Sequence, residues 1–448
     1  MPPHAARRRL ENAVRLEAEG FLQKAALEYR RVLEIAPRET AALLRLGLLL
    51  CGRDEFEKAA VLFRRASLAE PDNIVARMNL AAALLRLGDE AGAIAAYAEA
   101  VRIEPQSRPA RLNLAYRLRR AGRLEEARAH YERLVQHDPL DGLARWNLAA
   151  LDGLAGDLDA AFAGFAHPHA MRAGDLPQDL PRWAGEPLAG RRLLLEAEQG
   201  LGDALMFARL ARLARESGAH VILRAQPELE GLLSRLDGVD HYAPRDQPPP
   251  PADVWAPLAE LPAVFGADRS IAATSGAYLV ADAGRAAAWS RKLPDTGRLK
   301  VGLVWAGGPA HPEDADRSIP LPVLLQPLSA IEGVDWISLQ KGAPAAQADS
   351  SPLLRADLEI ADFEDTAAAL GQLDLLISVD TSVLHLAGAL GRPVWGLIAF
   401  TPDWRWMLAR PDSPWHPSLR LFRQPAPGDW ASVAQDVAAA LKALAATR

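Results

Sequence analysis

Pro37, Pro71, Pro105 and Pro139 stand 34 residues apart, and nothing else in the 448-residue chain restricts its fold so tightly. Eight residues before each proline is an aromatic: Tyr29, Phe63, Tyr97 and Tyr131. Four residues before each aromatic is an alanine: Ala25, Ala59, Ala93 and Ala127. Upstream come Gly20, Gly88 and Gly122, with Asp54 in the one off-pattern slot. A fifth unit follows in register at Gly156, Ala161 and Phe165 but has no closing proline. Such a period predicts pairs of antiparallel helices. Alanine lets the helices approach, the aromatic fills the gap between them, and proline ends the second helix. A single pair cannot bury its own apolar stripe, so neighbours must stack into an α-solenoid with a concave face.

This pattern resembles the tetratricopeptide repeat (TPR), and four full units plus one partial unit assign residues 1–170 to it. A second ladder, Asn79, Asn113 and Asn147, recurs at one offset in an Asn-Leu-Ala context. Asparagine is a mediocre helix former, so its recurrence needs a reason. A side-chain amide both donates and accepts, and therefore grips a peptide backbone whatever its sequence. Copying of one ancestral repeat, or bonds between neighbouring helices, explains it equally well. The ladder is similar to one lining the superhelix of the O-linked N-acetylglucosamine transferase.

From about Leu180 the pattern changes. Short apolar runs alternate with helical segments, as in "RRLLLEAE", "GDALMFARLARLARESG" and "HVILRAQ". That alternation predicts a parallel sheet covered by helices. A second series starts at "KVGLVWAGG" and continues through "DWISLQKG", "LDLLISVD" and "PVWGLI". The expected class is therefore α + α/β, with Rossmann-like lobes at 180–290 and 298–448 and a linker near 284–299. Ligands of such sheets bind beyond the carboxyl ends of the strands.

A net charge of −6 gives no basic field for nucleic acid. One cysteine, Cys51, permits neither a disulfide framework nor a thiolate metal cage. No apolar run is long enough to span a membrane, and Met1–Leu10 is polar and basic with no signal core after it. A cytoplasmic protein is the expectation.

Three loops carry the polar residues that a packed sheet does not need. In "VDTSVLHLAGALG", Asp380 and Thr381 end a strand and open a helix, whose free N–H groups suit a phosphate. Thr381 and His385 are four apart, on one helix face, and Ser382 adds a hydroxyl. The alternative is a simple helix cap with a core histidine. In "EQGLGD", Gly200 and Gly202 allow close backbone approach and Asp203 is a carboxylate that either takes a proton or caps the helix expected at 204–216. In "VWAGGPAHPEDADRSIPL", Gly307 and Gly308 end a strand, and Arg317 either stabilises phosphate charge or pairs with Asp314 or Asp316. Gln340 and Lys341 of "SLQKG" are further polar candidates at a strand end, and Trp404–Trp406 reads chiefly as core.

The motif "DT…HLAGALGRP" looks like the nucleotide-sugar signature of bacterial heptosyltransferases, and the span from "LPRWAGEPLAG" onward is similar to the catalytic half of bacterial TPR glycosyltransferases. The resemblance implies a GT-B fold of two Rossmann-like domains, with the acceptor on the first and the donor mainly on the second. It implies diphosphate and ribose contacts at Asp380, Thr381, Ser382 and His385, a nucleobase or ribose contact at Gln340 or Lys341, a general base at Asp203 and an anion-stabilising Arg317. The chain has no room for the inserted domain of the eukaryotic O-linked N-acetylglucosamine transferase, so that enzyme's donor preference is not carried over. The expected activity is an inverting, metal-independent transfer from a nucleotide-sugar, with no other cofactor, to a Ser or Thr hydroxyl of a polypeptide in the repeat groove. Flagellin or another surface protein is an acceptor by family analogy alone. A scaffold with a degenerate transferase half, or a transferase acting on a glycan or lipid-linked acceptor, are the competing expectations.

Overall fold

The computed structural model describes residues 3–166, 179–273, 276–309, 311 and 313–446. They form two compact units, one ending at Ala144 and the other beginning at Arg145.

The first unit is built from helix pairs. Helices Leu22–Ile35, Phe56–Ala69, Glu90–Ile103 and Leu124–His137 each stop two residues short of the periodic prolines. Ala25, Ala59, Ala93 and Ala127 are wholly buried, as are Tyr29, Phe63 and Tyr131, and Tyr97 is nearly so. Gly20, Gly88 and Gly122 turn the chain with φ of 81°, 77° and 76°, in the left-handed region that an L side chain disfavours. Asp54 takes the same conformation at φ 57°, so the off-pattern slot keeps the turn and loses only the glycine. Asn79 and Asn113 lie on helices Ile74–Arg86 and Arg108–Arg120. Both are partly exposed, and their side chains make no hydrogen bond among the described residues.

The second unit contains the last helices of the repeat series and all nine strands found among the described residues. Helix Leu158–Phe165 belongs with the α/β region because its aromatics pack there: the Phe162 and Phe165 rings lie 5.7 and 5.0 Å from that of Trp404. Asp159 also accepts a 3.0 Å bond from the amide of Ala267.

Strands β1 (Arg192–Glu196), β2 (His220–Ala225), β3 (His241–Pro244) and β4 (Val254–Pro257) form a parallel sheet in the order β3-β2-β1-β4. Strands β5 (Leu299–Val304), β6 (Val334–Ser338), β7 (Leu375–Val379), β8 (Val394–Ile398) and β9 (Leu419–Arg423) form a second parallel sheet in the order β6-β5-β7-β8-β9. Parallel strands are covered on both faces and so read as unbroken apolar runs; all five residues of β7 are buried. Helices Leu321–Leu328 and Trp430–Ala445 close one face of the second sheet over a core that includes Trp305, Ile377 and Val437.

In each sheet the winding reverses once, between β1 and β4 and between β5 and β7. At such a point the connections leave in opposite directions and open a crevice beyond the strand ends. The segment expected as a linker contains the helix Ala283–Lys292, docked on helix Phe363–Gly371 through Trp289, whose indole donates to Asp365 at 3.2 Å.

Candidate functional site between the two sheets

Both reversal points lead into loops that carry the sequence candidates. After β1, helix Leu201–Ala208 starts at once, with Gly200 as its cap. It begins three residues earlier than the 204–216 expectation and breaks at Arg209, before the short helix Ala211–Arg215. Asp203 therefore sits inside the first turn, where its Oδ2 accepts from the Gly200 amide at 3.2 Å. Its Oδ1 accepts from the Arg405 guanidinium.

After β7, Thr381 caps helix Ser382–Ala389 in an extended conformation. Leu384 and His385 are the first amides to bond back, to the Thr381 carbonyl at 3.1 and 3.4 Å. The amides of Ser382 and Val383 have no carbonyl partner among the described residues, and Thr381 and Ser382 are partly open. These two hydroxyls and two N–H groups form an anion-receptive end. The Thr381 hydroxyl also lies 3.2 Å from that of Ser378.

Asp380 is turned inward. Its Oδ2 accepts from the Trp406 indole at 2.8 Å, and its Oδ1 is 4.0 Å from Nε2 of His385. His385 is buried, stacked on Trp406 with ring centroids 5.2 Å apart, and its Nδ1 lies 3.2 Å from Nε2 of the fully buried His416. Burial brings the His385 imidazole down from its usual 6.5 to about 4; Asp380 opposes that shift and Arg209 adds to it. His385 is therefore neutral near pH 7.

After β5, a Cβ on Gly307 would lie 2.6 Å from Nη2 of Arg317, so the absent side chain is what lets the guanidinium lie over the strand end. Arg317 has an ion pair with Asp314 at 3.4 Å and stays partly exposed. The Gly307 amide donates to the Ser318 hydroxyl at 3.0 Å, and Gly308 is exposed. His311 is exposed in the same loop.

Two candidates are otherwise engaged. Gln340 is buried and its amide is fully used: Oε1 accepts from Trp305 and Ala306 at 2.9 Å, and Nε2 donates to Ala306 and Lys341 at 3.0 Å. It clasps the end of β5, with nothing left over for a base or ribose. Lys341 donates to the carbonyls of Asp357 and Ile360 at 2.8 and 2.9 Å. Asn79, Asn113 and Asn147 are partly exposed on their helices, and Asn147 falls in the second unit.

The residue that sequence reasoning missed is Arg405. The short 3-10 turn Trp404–Trp406 ties the two loops together: Arg405 reaches Asp203 after β1, and Trp406 reaches Asp380 after β7. Arg405 also pairs with Asp403 at 2.6 Å and lies 4.6 Å from the Trp404 ring centroid. Burial pulls its guanidinium down to about 9. The only sequence signal was an arginine between two tryptophans and just after an aspartate, and its partner is 202 positions away. Beyond Arg405, Arg209 donates to the Trp415 carbonyl at 2.6 Å, and Tyr278 donates to that of Leu205 at 2.9 Å, so the loops sit on fixed supports.

Comparisons with known proteins agree with this division. Residues 52–115 and 84–151 match the tetratricopeptide repeat, and residues 360–435, which include β7, its helix and the Trp404–Trp406 turn, match glycosyltransferase family 9 (heptosyltransferase). The chain thus combines a stretch that matches tetratricopeptide repeats with one that matches glycosyltransferase family 9. It is 29% identical over 294 residues to Protein FlbA of Caulobacter vibrioides, covering 59% of this chain and 49% of that protein. The chain therefore spans about half the length of the curated relative it matches. Among solved structures, YrrB, described as a TPR protein with an unusual peptide-binding site, is 20% identical with a TM-score of 0.32, over 35% of this chain and 81% of its own. MamA is 20% identical with a TM-score of 0.32, over 34% of this chain and 90% of its own.

Proposed function

We propose that the second unit transfers a sugar from a nucleotide-sugar to a hydroxyl, in a GT-B arrangement, without a metal and with inversion at the anomeric carbon, and that the repeats hold a polypeptide acceptor. The observation that carries this reading is the pairing of an anion-receptive helix end at Thr381–Ser382 with the Arg317 guanidinium, both at the reversal point of one parallel sheet. A leaving nucleoside diphosphate gathers negative charge, and fixed N–H, hydroxyl and guanidinium donors stabilise that charge as it forms.

Asp380 has a different part. A carboxylate facing phosphate would repel it, and here the group is turned onto Trp406 and towards His385. It sets the shape of the helix end and leaves the anion to its neighbours. The partly exposed amides of Asn79 and Asn113, with no partner among the described residues, support a backbone-gripping ladder.

Calorimetric titration with uridine, guanosine, cytidine and thymidine diphosphates tests the donor half of the reading. One of the four is expected to bind, and Arg317→Ala to weaken it about tenfold or more, the scale of one lost charge-assisted contact, with Asp380→Ala weakening it less, by freeing Trp406 and loosening the helix end. Unchanged affinity in both variants removes the site.

A further inference from the structure

The proton acceptor of the proposed transfer has a better candidate than Asp203. Glu198 stands five positions earlier in the same loop, at the β1/β4 reversal of the first sheet. Its Oε2 accepts from the Leu258 amide at 3.1 Å, directly after β4. Its Oε1 is buried and has no hydrogen-bond partner among the described residues. A buried carboxylate oxygen left unpartnered is costly, and in a native fold it calls for an explanation. Glu198 lines a narrow pocket, open to solvent on one side, whose walls include Trp146, Phe165, Phe207, Trp404 and Arg405. Tilted ring contacts hold that wall: Trp146 to Phe165 at 4.5 Å and Phe165 to Trp404 at 5.0 Å between centroids. Asp203, by contrast, has Oδ1 on Arg405 and Oδ2 on the Gly200 amide.

We infer that Glu198, and not Asp203, takes the proton from the acceptor hydroxyl, and that this hydroxyl reaches it by way of the aromatic-walled pocket. The inference rests on the transferase reading above. Arg405 joins the two places, since it lines the pocket and holds Asp203. In the step, Glu198 Oε1 accepts the hydroxyl proton while the acceptor oxygen bonds the anomeric carbon. The bond from that carbon to the diphosphate breaks, and its electron pair leaves on the diphosphate oxygen. Glu198 then returns the proton to solvent, so that hydroxyl and nucleotide-sugar become glycoside, nucleoside diphosphate and one proton. Asp203 becomes a positioning residue that fixes Arg405.

The surroundings suit a base working near neutrality. Burial pushes the Glu198 carboxyl up to about 7, Glu196 adds to that, and the amides of Glu198, Leu258 and Ala259 pull the other way. The other charged groups facing it are Glu260 and Arg405 on the pocket wall and Arg182, which is paired with Glu260.

Glu198→Gln keeps an oxygen for the Leu258 amide but cannot take a proton. Intact masses of the proteins of the source cell are compared with the gene for this protein deleted and then restored as wild type, Glu198→Gln or Asp203→Asn. A sugar adduct that depends on the wild-type protein identifies donor and acceptor for rate measurements. Transfer by Glu198→Gln is expected to fall about 100-fold or more, with diphosphate affinity and melting temperature unchanged, and with loss of the wild-type rise in rate through pH 7. Transfer within threefold of wild type, whatever Asp203→Asn does, overturns the assignment. So does a parallel loss of diphosphate binding or thermal stability, which would make Glu198 structural. No adduct from the wild-type protein removes the transfer itself, and the base with it.

Discussion

Arg405 shows how much a single side chain decides here. A largely buried guanidinium is tolerated because Asp203 and Asp403 both meet it and it lies over the Trp404 ring. Removing it strands a largely buried carboxylate. Arg405→Ala is therefore expected to destabilise the second unit by about 3 kcal/mol, read from urea unfolding, and Asp203→Asn in the same chain to recover part of that loss. The buried histidine pair gives a second prediction. The folded state holds His385 near 4 and His416 well below 6.5, whereas the unfolded chain protonates both near 6.5. Acid then favours the unfolded state, so stability falls as pH drops from 6.5 towards 4 and rises again with pH across that window. Asp380 and Arg209 are the charged groups that act on His385. Unfolding midpoints measured along that range, with His416→Gln flattening the slope, check the claim. Residues with local jobs were legible in the sequence: Thr381 caps its helix and Arg317 pairs with Asp314, both within one loop or turn. Arg405 and Glu198 were not, because their roles come from burial and from partners far along the chain.

Among the elements, the repeats were the most legible, since each helix pair is specified by residues within one 34-residue period. Their turns separate two kinds of glycine. Gly88 has φ 77° and open space where a Cβ would go, so Gly88→Ala tests backbone conformation alone and is expected to cost about 1 kcal/mol. Gly47 lies mid-helix against the Phe63 ring, where a Cβ would come within 2.7 Å of Cζ. Gly47→Ala must displace that buried ring and is expected to cost about 1–3 kcal/mol, despite alanine's better helix propensity. Thermal unfolding of the two variants, side by side, measures the difference. In the α/β region the existence of strands was readable from their apolar runs. Their order was not, because a parallel sheet pairs strands across long crossovers and leaves no local trace of which neighbour each will take.

Across the whole molecule, the class α + α/β followed from the change of period near Leu180, and the limits of the compact units did not. Residues 145–166 continue the repeat pattern yet belong with the sheets, because their aromatics are completed by Trp404 and Trp415. A chain lacking residues 1–140 is accordingly expected to keep diphosphate affinity within about threefold, well under the tenfold that 1.4 kcal/mol represents, and to lose transfer to a protein acceptor. Transfer that survives the truncation on a free saccharide would shift the acceptor class to glycans.

Gly202 faces the ring of His385, and a Cβ built there would come within 2.9 Å of Cδ2. The helix that follows β1 and the helix that follows β7 thus touch at a point with no side chain to spare. An alanine there would act as a shim between them. The glycine in "GLGD" then reads as a spacer of zero thickness that sets how far apart the two sheets' loops can stand, whether or not a phosphate ever passes over it.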